Sequence, residues 1–179
     1  DETAKNGSWQ KGPGIELFEE IKKEFSGALP IIAEDLGFIT DDVRALLDDT
    51  GFPGMKMLQF AFFDNDSEYL PRTYTTDNCI VYTASHDSDC TLSWLHNLQG
   101  EALERFKREC PRKKGQSALW AVMELAMRSR ANLAIVPMQD YLELGGTARM
   151  NFPGTLSSDN WTWRAEEGFA SEKLAKKIY

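Results

Sequence analysis

Residues 78–84 read NCIVYTA and run directly into Ser85, His86 and Asp87. A short, continuous apolar run of this kind is typical of a strand that is buried on both faces of a parallel sheet. Three similar runs lie elsewhere in the chain: LPIIA at 29–33, MKMLQFAF at 55–62 and LAIVPM at 133–138. The sequence therefore predicts four buried strands.

Helical periodicity separates these apolar runs. Apolar residues recur at three- to four-residue spacing after Pro13-Gly14, which predicts an amphipathic helix over residues 15–25. Thr40 is positioned as the N-cap of a second helix, which stops at Gly51. The remaining predicted elements are helices at about 91–109, 116–130 and 171–178, and loops at 63–77 and 145–168.

The order of these elements points to an α/β fold. Strands that alternate with helices form parallel βα units, either in a doubly wound sheet or in a (β/α)8 barrel. A complete barrel takes roughly 250 residues, whereas this chain has 179 residues. Four predicted strands would make half of such a barrel. We therefore expect half of a (β/α)8 TIM barrel, with parallel strands inside and helices outside.

The composition excludes several classes of partner. The net charge is −8, from 28 Asp and Glu against 20 Lys and Arg, which argues against a nucleic acid or an anionic membrane as partner. Cys79, Cys90 and Cys110 have no C-x-x-C spacing, so neither a disulfide framework nor a zinc site is indicated. Without a signal peptide or a long apolar run, we expect a cytoplasmic protein, or a piece of a longer chain.

Acidic residues follow three of the four apolar runs: Glu34 and Asp35, Asp87, and Asp140. Parallel α/β folds place their active sites at this carboxyl edge of the strands. An Asp after a strand also often caps the next helix, and this is the favoured interpretation of Asp35 and Asp140. Glu caps poorly, and a carboxyl at the rim of an apolar strand is partly removed from water, as a general acid requires. Glu34 is therefore predicted to be functional.

Two or three carboxylates around a cleft are what glycosidic-bond chemistry requires. One carboxyl protonates the leaving oxygen, and another attacks or stabilises the oxocarbenium-like centre. Sugars also need flat apolar platforms with amide or carboxylate groups beside them. Aromatic residues lie in the core more often than they form such platforms. The candidates for these roles are Phe60, Phe62, Tyr69, Tyr74, Gln139, Asn151, Trp161 and Trp163.

Other chemistries have weaker support in the sequence. His86, Asp87 and Asp89 could ligate a metal, but one His without a second cluster is a poor signal, and no metal is expected. A triad of Ser85 or Cys90 with a His lacks the G-x-S-x-G elbow. No glycine-rich phosphate motif is present, and no cofactor is expected.

Four ordered blocks carry a resemblance to a known family. They are IIAEDLGFIT, GFPGMKMLQFAF, VYTASHDSDCT, and RMNFPGT followed by NWTWR. In this order they resemble the C-terminal blocks of amylomaltases, glycoside hydrolase family 77, over nearly all of residues 1–164. The resemblance implies retaining transfer of α-1,4-glucan segments between maltooligosaccharides, with this chain supplying about strands five to eight of the barrel.

The resemblance also implies roles for individual residues. Glu34 matches the acid/base, and Asp87 matches the Asp that stabilises the transition state. His86 would contact the sugar beside Asp87, and three further positions match residues that contact glucan: Phe60, Asp64 and Asn151. The nucleophilic Asp would lie upstream of this chain, so the isolated chain is expected to be inactive. The implied partners are a maltooligosaccharide or starch-like glucan and the N-terminal half of the barrel.

The chain departs from the family pattern at several positions. Where the family commonly reads G-T-H-D-N-D-T, this chain has Ala84, Ser85, Ser88 and Cys90, and Arg72 lies in a block that commonly reads L-P-H-N-Y. The ionisable residues are kept, so we expect the departures to affect acceptor preference and rate before reaction type. Two alternatives stay open: a non-catalytic glucan-binding half-barrel and an α-amylase-type hydrolase.

Overall fold

The computed structural model describes residues 4–8, 10–25 and 29–179. These residues divide into two compact units, Asp1–Gly54 and Met55–Tyr179. The first unit is built around two helices, and the second contains most of a three-stranded sheet together with its covering helices. The chain is therefore an α/β protein, as the sequence predicts.

The first unit contains helices α1 (Ile15–Glu24) and α2 (Asp41–Thr50) close to their predicted bounds. Thr40 is the N-cap of α2, but its hydroxyl is bonded to Asp42 and accepts no backbone N–H. Gly51 ends α2 with a φ of 68°, a left-handed conformation that costs glycine little, and its N–H donates to Leu47 C=O at 3.2 Å. The predicted positions of the two helices were confirmed, but the predicted cap by the Thr40 side chain was wrong.

Residues 29–33 do not form the predicted strand. Among the described residues, this segment makes one backbone hydrogen bond beyond itself, from Ala33 N–H to Pro53 C=O at 3.0 Å. Ile32 is 44% exposed, so the run is not buried on both faces. A strand requires a hydrogen-bonded neighbour along its length, and a single bond does not supply one. The prediction of a fourth strand was wrong for this reason.

The sheet has the order β1-β2-β3. Its strands are β1 (Gly54–Met57), β2 (Cys79–Tyr82) and β3 (Leu133–Ile135). Strands β2 and β3 are parallel, and Thr83 N–H extends their pairing by donating to Ile135 C=O at 3.3 Å. Strand β1 is shorter than the predicted run, because the chain turns into a 3-10 helix at Leu58–Phe60.

Helices of the second unit follow the strands along the chain. They are α3 (Thr91–Asn97), α4 (Gly100–Glu109), α5 (Ala118–Met127), α6 (Met138–Tyr141) and α7 (Glu172–Ile178). The single helix predicted at about 91–109 is thus two helices. Leu98 and Gln99, which lie between them, have extended backbones with ψ of 125° and 169°, so α3 has already ended before α4 begins at Gly100. No helix among the described residues is long and apolar enough to cross a membrane.

The core of the second unit lies between the sheet and helices α3 to α5. Phe62 is fully buried and packs edge-on against Phe106, with ring centroids 5.3 Å apart, and against Trp94 at 5.8 Å. Other almost fully buried members of this core are Leu58, Leu70, Val81 and Val122. Burying each such side chain contributes about 1.5–3 kcal/mol. The core therefore fixes the position of the end of β2, from which the chain runs into the predicted site residues His86 and Asp87.

Candidate active site

The loop of residues 84–90, which connects β2 to α3, is shaped by its own short polar side chains. Ser85 N–H donates to Ser88 Oγ at 2.9 Å, and Asp87 N–H approaches Ser85 Oγ at 3.3 Å. Asp89 Oδ1 accepts from Cys90 N–H at 2.8 Å. Hydroxyl and carboxylate groups often replace backbone partners in tight turns. Ser85 and Ser88, two of the departures from the family pattern, thus hold the loop that carries His86 and Asp87.

Asp87 is oriented by residues from a distant segment of the chain. Asn151 Nδ2 donates to Asp87 Oδ1 at 2.7 Å, and His86 Nε2 lies 3.4 Å from the same oxygen. Arg149 donates to the backbone C=O of Asp87 and to that of Asn151, both at 2.8 Å. The side chains of His86 and Asp87 are 59% and 51% exposed. The structure therefore brings together three predicted site residues, His86, Asp87 and Asn151, at an accessible surface.

Trp161 covers one side of this cluster. Its ring lies 5.2 Å from the His86 ring, tilted by 37°, and Trp161 is 51% exposed. Its φ of 66° is rare for a bulky residue, and such a conformation costs of order 1–3 kcal/mol. A hydrogen bond of 2.6 Å from Trp161 N–H to Met150 C=O holds it. A flat apolar ring is thus presented beside a carboxylate, as a sugar site requires.

Asp140 lies beneath this loop and is completely buried. Its Oδ2 accepts from the hydroxyl of Thr83 at 2.6 Å and from that of Thr91 at 2.7 Å. Its Oδ1 has no hydrogen-bond partner in the described part of the chain. Burial raises the pKa of Asp140, and the hydrogen bonds from Thr83 and Thr91 partly oppose this effect. Asp140 does not cap the helix in which it lies, so that interpretation was wrong.

Glu34 lies in the first unit and is exposed. Its Oε1 accepts from Leu36 N–H at 2.6 Å, which closes a local turn. The expected partial removal from water was wrong, because residues 29–33 do not form a buried strand. Asp35 does not cap α2 either, since its carboxyl lies against Gly54 and Thr40 occupies the cap position. The meeting of Glu34 and Asp87 over one sugar stays a prediction.

Residues 1–170 match the sequence model of the family described as 4-alpha-glucanotransferase. The chain belongs to the 4-alpha-glucanotransferase family. This result confirms the resemblance to glycoside hydrolase family 77 on which the assignment of individual residues depends.

Relatives in this family are similar over the whole chain. The 4-alpha-glucanotransferase of Clostridium butyricum is 43% identical over 185 residues, which cover 100% of this chain and 37% of that protein. The 4-alpha-glucanotransferase of Thermus thermophilus is 43% identical over 98% of this chain and 36% of its own length. A solved structure of amylomaltase from Streptococcus agalactiae in complex with acarbose matches with a TM-score of 0.89 and 37% identity, over 97% of this chain and 35% of that one. This chain therefore spans about a third of the length of these relatives.

Two further predicted site residues, Phe60 and Asp64, lie on the segment after β1. Phe60 is 41% exposed and packs edge-on against Tyr69 at 5.5 Å, and Asp64 Oδ1 accepts from Asp66 N–H at 3.2 Å. Their neighbour Gln59 is buried, and its Nε2 donates to Asp89 C=O at 2.8 Å. This bond ties the Phe60 segment to the loop of Asp87, a link for which the sequence offered no signal.

Other candidate platforms are structural. Phe62 and Tyr74 are buried in the core, and burial raises the pKa of the Tyr74 hydroxyl far above its usual value. Gln139 is buried and donates to Ala148 C=O at 3.2 Å. Arg149, which orders the backbone of both Asp87 and Asn151, was missed, although it lies two residues before Asn151 in the RMN block.

A small cavity of about 170 Å³ lies under the loop, lined in part by His86, Arg149 and Asp140. A larger cleft of about 880 Å³ lies along α3, α4 and the start of α5, and among the described residues its lining contains no predicted site residue. Nowhere among the described residues do three His, Cys, Asp or Glu side chains come together as a metal site would require. The chemistry of the cluster is therefore that of carboxylate, imidazole, amide and aromatic ring.

Proposed function

We propose that this chain is the C-terminal part, about strands five to eight, of the catalytic (β/α)8 barrel of a 4-alpha-glucanotransferase. The intact enzyme would transfer α-1,4-glucan segments between maltooligosaccharides by a retaining double displacement. The observation that carries the proposal is the cluster of His86, Asp87 and Asn151, which is accessible and ordered in a chain of this family.

Glu34 is proposed as the general acid and base. It would protonate the leaving oligosaccharide oxygen, while an Asp from outside this chain attacks the anomeric carbon and forms the glycosyl-enzyme intermediate. Glu34 would then take the proton from an acceptor hydroxyl of a second glucan. Its exposure keeps the carboxyl within reach of a polymeric substrate.

Asp87 is proposed to stabilise the positive charge that develops at the anomeric centre. Asn151 and His86 both approach Oδ1, whereas Oδ2 makes no hydrogen bond with a described residue. A carboxylate whose orientation is fixed before the substrate arrives loses little reorganisation energy during the reaction. The second oxygen is available to accept hydrogen bonds from sugar hydroxyls.

Transfer instead of hydrolysis requires that a sugar hydroxyl, and not water, completes the reaction. The exposed ring of Trp161 beside His86 offers an apolar face that a glucose ring can cover. Phe60 offers a second exposed ring on the segment that Gln59 ties to the same loop. Both rings would favour a bound sugar and displace water.

The test uses the full-length protein that contains this chain, with maltotriose as the substrate. We expect glucose release together with products longer than maltotriose, because only transfer lengthens a glucan. Glu34→Gln should lower kcat at least about 100-fold, the scale of general acid–base catalysis. Asp87→Asn should also lower kcat at least about 100-fold, the scale of losing a group that stabilises developing charge. Matched controls are Glu167→Gln and Asp48→Asn, which change exposed carboxyls outside the proposed site.

Each alternative gives a distinct result in this assay. Hydrolysis without longer products would establish the hydrolase. Binding of maltooligosaccharide without turnover would favour the non-catalytic reading, and full activity of Glu34→Gln would refute its acid/base role.

A further inference from the structure

We propose that Asp140 is a positioning residue that holds the two ends of loop 84–90 together, through Thr83 and Thr91, and so sets the place of Asp87. The inference rests on the proposed function, since it assigns Asp140 to the support of the same site. Asp140 would not contact the substrate and would act through the loop.

Both ends of the loop meet at one carboxylate oxygen. Thr83 directly follows β2, and Thr91 is the first residue of α3. Their hydroxyls lie 2.6 and 2.7 Å from Oδ2 of Asp140, and Thr91 Oγ1 also lies 3.2 Å from Thr83 C=O. All three residues are fully buried. The seven residues between the threonines therefore start and end at a fixed separation.

A buried carboxyl at this position is unfavourable for the free energy of folding, so stability alone does not explain it. Burying a charged or polar group without full pairing costs free energy, and Oδ1 of Asp140 has no hydrogen-bond partner among the described residues. A well-packed apolar group in such a place is often neutral or more stable. What the carboxyl provides is a defined geometry, because one oxygen accepts from two different elements.

The rest of the loop is fixed at separate points. Gln59 holds Asp89 C=O from the segment after β1, and Arg149 and Asn151 hold the backbone and side chain of Asp87. Loss of the tie at Asp140 would let the ends of the loop move relative to these contacts. A displacement of about 1 Å in a catalytic group can lower the rate about 100-fold, so a loop shift too small to unfold the protein would reduce turnover.

The test compares hydroxyl-retaining with hydroxyl-lacking variants of the two threonines in the full-length protein. Thr83→Val and Thr91→Val keep the shape but lose the hydrogen bond to Asp140, whereas Thr83→Ser and Thr91→Ser keep the bond. We expect each Val variant to lower kcat at least about 10-fold with KM changed less than about twofold, because the lost interaction acts in the transition state. The Ser variants should retain most of the activity.

A double-variant comparison separates positioning from general damage. If Thr91 acts through Asp140, adding Thr91→Val to Asp140→Ala should lower kcat by much less than it does alone. If Asp140→Ala fails to fold, the comparison of the Val with the Ser variants still tests whether the hydrogen bonds to Asp140 position the loop. Val variants with a lowered Tm but an unchanged kcat for the folded enzyme would overturn the proposal, and so would Val and Ser variants of equal activity.

Failure of this inference is distinguishable from failure of the proposed function. A full-length protein without transferase activity, or an active Asp87→Asn variant, would count against the proposed function. An active protein that is inactivated by Asp87→Asn but indifferent to Thr83→Val and Thr91→Val would count against the role of Asp140 alone.

Discussion

Asn151 donates a hydrogen bond of 2.7 Å to Asp87 across 64 residues of sequence. This bond fixes one oxygen of an exposed carboxylate, and the backbone contacts of Arg149 fix the chain on either side of it. The orientation of Asp87 therefore depends on a segment that contains neither the proposed acid nor the proposed nucleophile.

Replacing Asn151 with Asp tests this dependence. The change keeps the shape of the side chain but replaces its donor with a second carboxylate beside Asp87. Loss of a hydrogen bond to a charged group costs about 1.5–3 kcal/mol, so we expect kcat/KM for maltotriose to fall about 10- to 100-fold. Asn97→Asp adds the same charge at the exposed end of α3 and serves as the control. Equal activity of the two variants would contradict the role of Asn151.

Trp161 allows the platform and the backbone conformation to be tested separately. Trp161→Ala removes the ring, so KM for maltotriose should rise several-fold, while Trp161→Phe should keep most of the affinity. Because the φ at this position is 66°, Trp161→Gly should be about 1 kcal/mol more stable than Trp161→Ala. Steady-state kinetics and Tm measurements check the two effects. An unchanged KM in the Ala variant would remove Trp161 from the sugar site.

Gly54 lies close to the side-chain carboxyl of Asp35. A Cβ at Gly54 would lie 2.5 Å from Asp35 Oδ2, nearer than van der Waals contact permits. We therefore expect Gly54→Ala to lower the free energy of unfolding by about 1–3 kcal/mol, the usual cost of overpacking. Gly12→Ala is the matched control, since no atom lies within 4 Å of its added Cβ. Urea denaturation compares them, and equal midpoints would show that Asp35 moves aside at little cost.

The three cysteines are buried thiols, and we expect them to react slowly while the protein is folded. Burial raises the pKa of Cys90 to about 11 and that of Cys110 to about 12. At pH 8 the native thiols of Cys90 and Cys110 stay protonated, and Cys79 is buried. Peptide mapping after brief alkylation should therefore find all three cysteines unmodified, whereas the protein in urea should be labelled at all three. Rapid labelling of native Cys90 would contradict its burial.

The same pKa shifts determine a pH dependence of stability. The folded state keeps its thiol protons to a higher pH than the unfolded state, whose thiols titrate near 9. The unfolded state is therefore favoured as the pH rises, and the contribution of Cys90 to stability is lost between about pH 9 and about pH 11. Cys90→Ser should flatten this part of the stability profile in urea titrations.

Features that depend on neighbouring residues were predictable from sequence. Helix α2 starts after Thr40 and ends at Gly51, as predicted. The end follows from the left-handed backbone of Gly51, whereas the Thr40 hydroxyl makes no cap hydrogen bond. The break at Leu98 and Gln99 was missed, because the amphipathic pattern on both sides hid it. The positions of these helices could therefore be predicted from local sequence.

Features that depend on distant partners were not predictable in this way. Residues 29–33 have the composition of a strand but are paired with no neighbouring strand in the part of the chain that the structure describes. The local sequence around Asp140 indicated a helix cap, since the partners of its carboxyl, Thr83 and Thr91, lie 57 and 49 residues away and give no local signal. The pairing of Asp87 with Asn151 could be anticipated only through the family resemblance, which placed both residues at the glucan.

Loop 84–90 keeps its shape through hydrogen bonds among its own residues, but Gln59 at Asp89 and Asp140 at the two flanking threonines attach its second half and its ends to the rest of the protein. These two residues come from different parts of the chain, and nothing in the sequence of the loop itself indicates them. Transplanting the loop into another framework would therefore fail unless both anchors, together with the two threonines, were carried across with it.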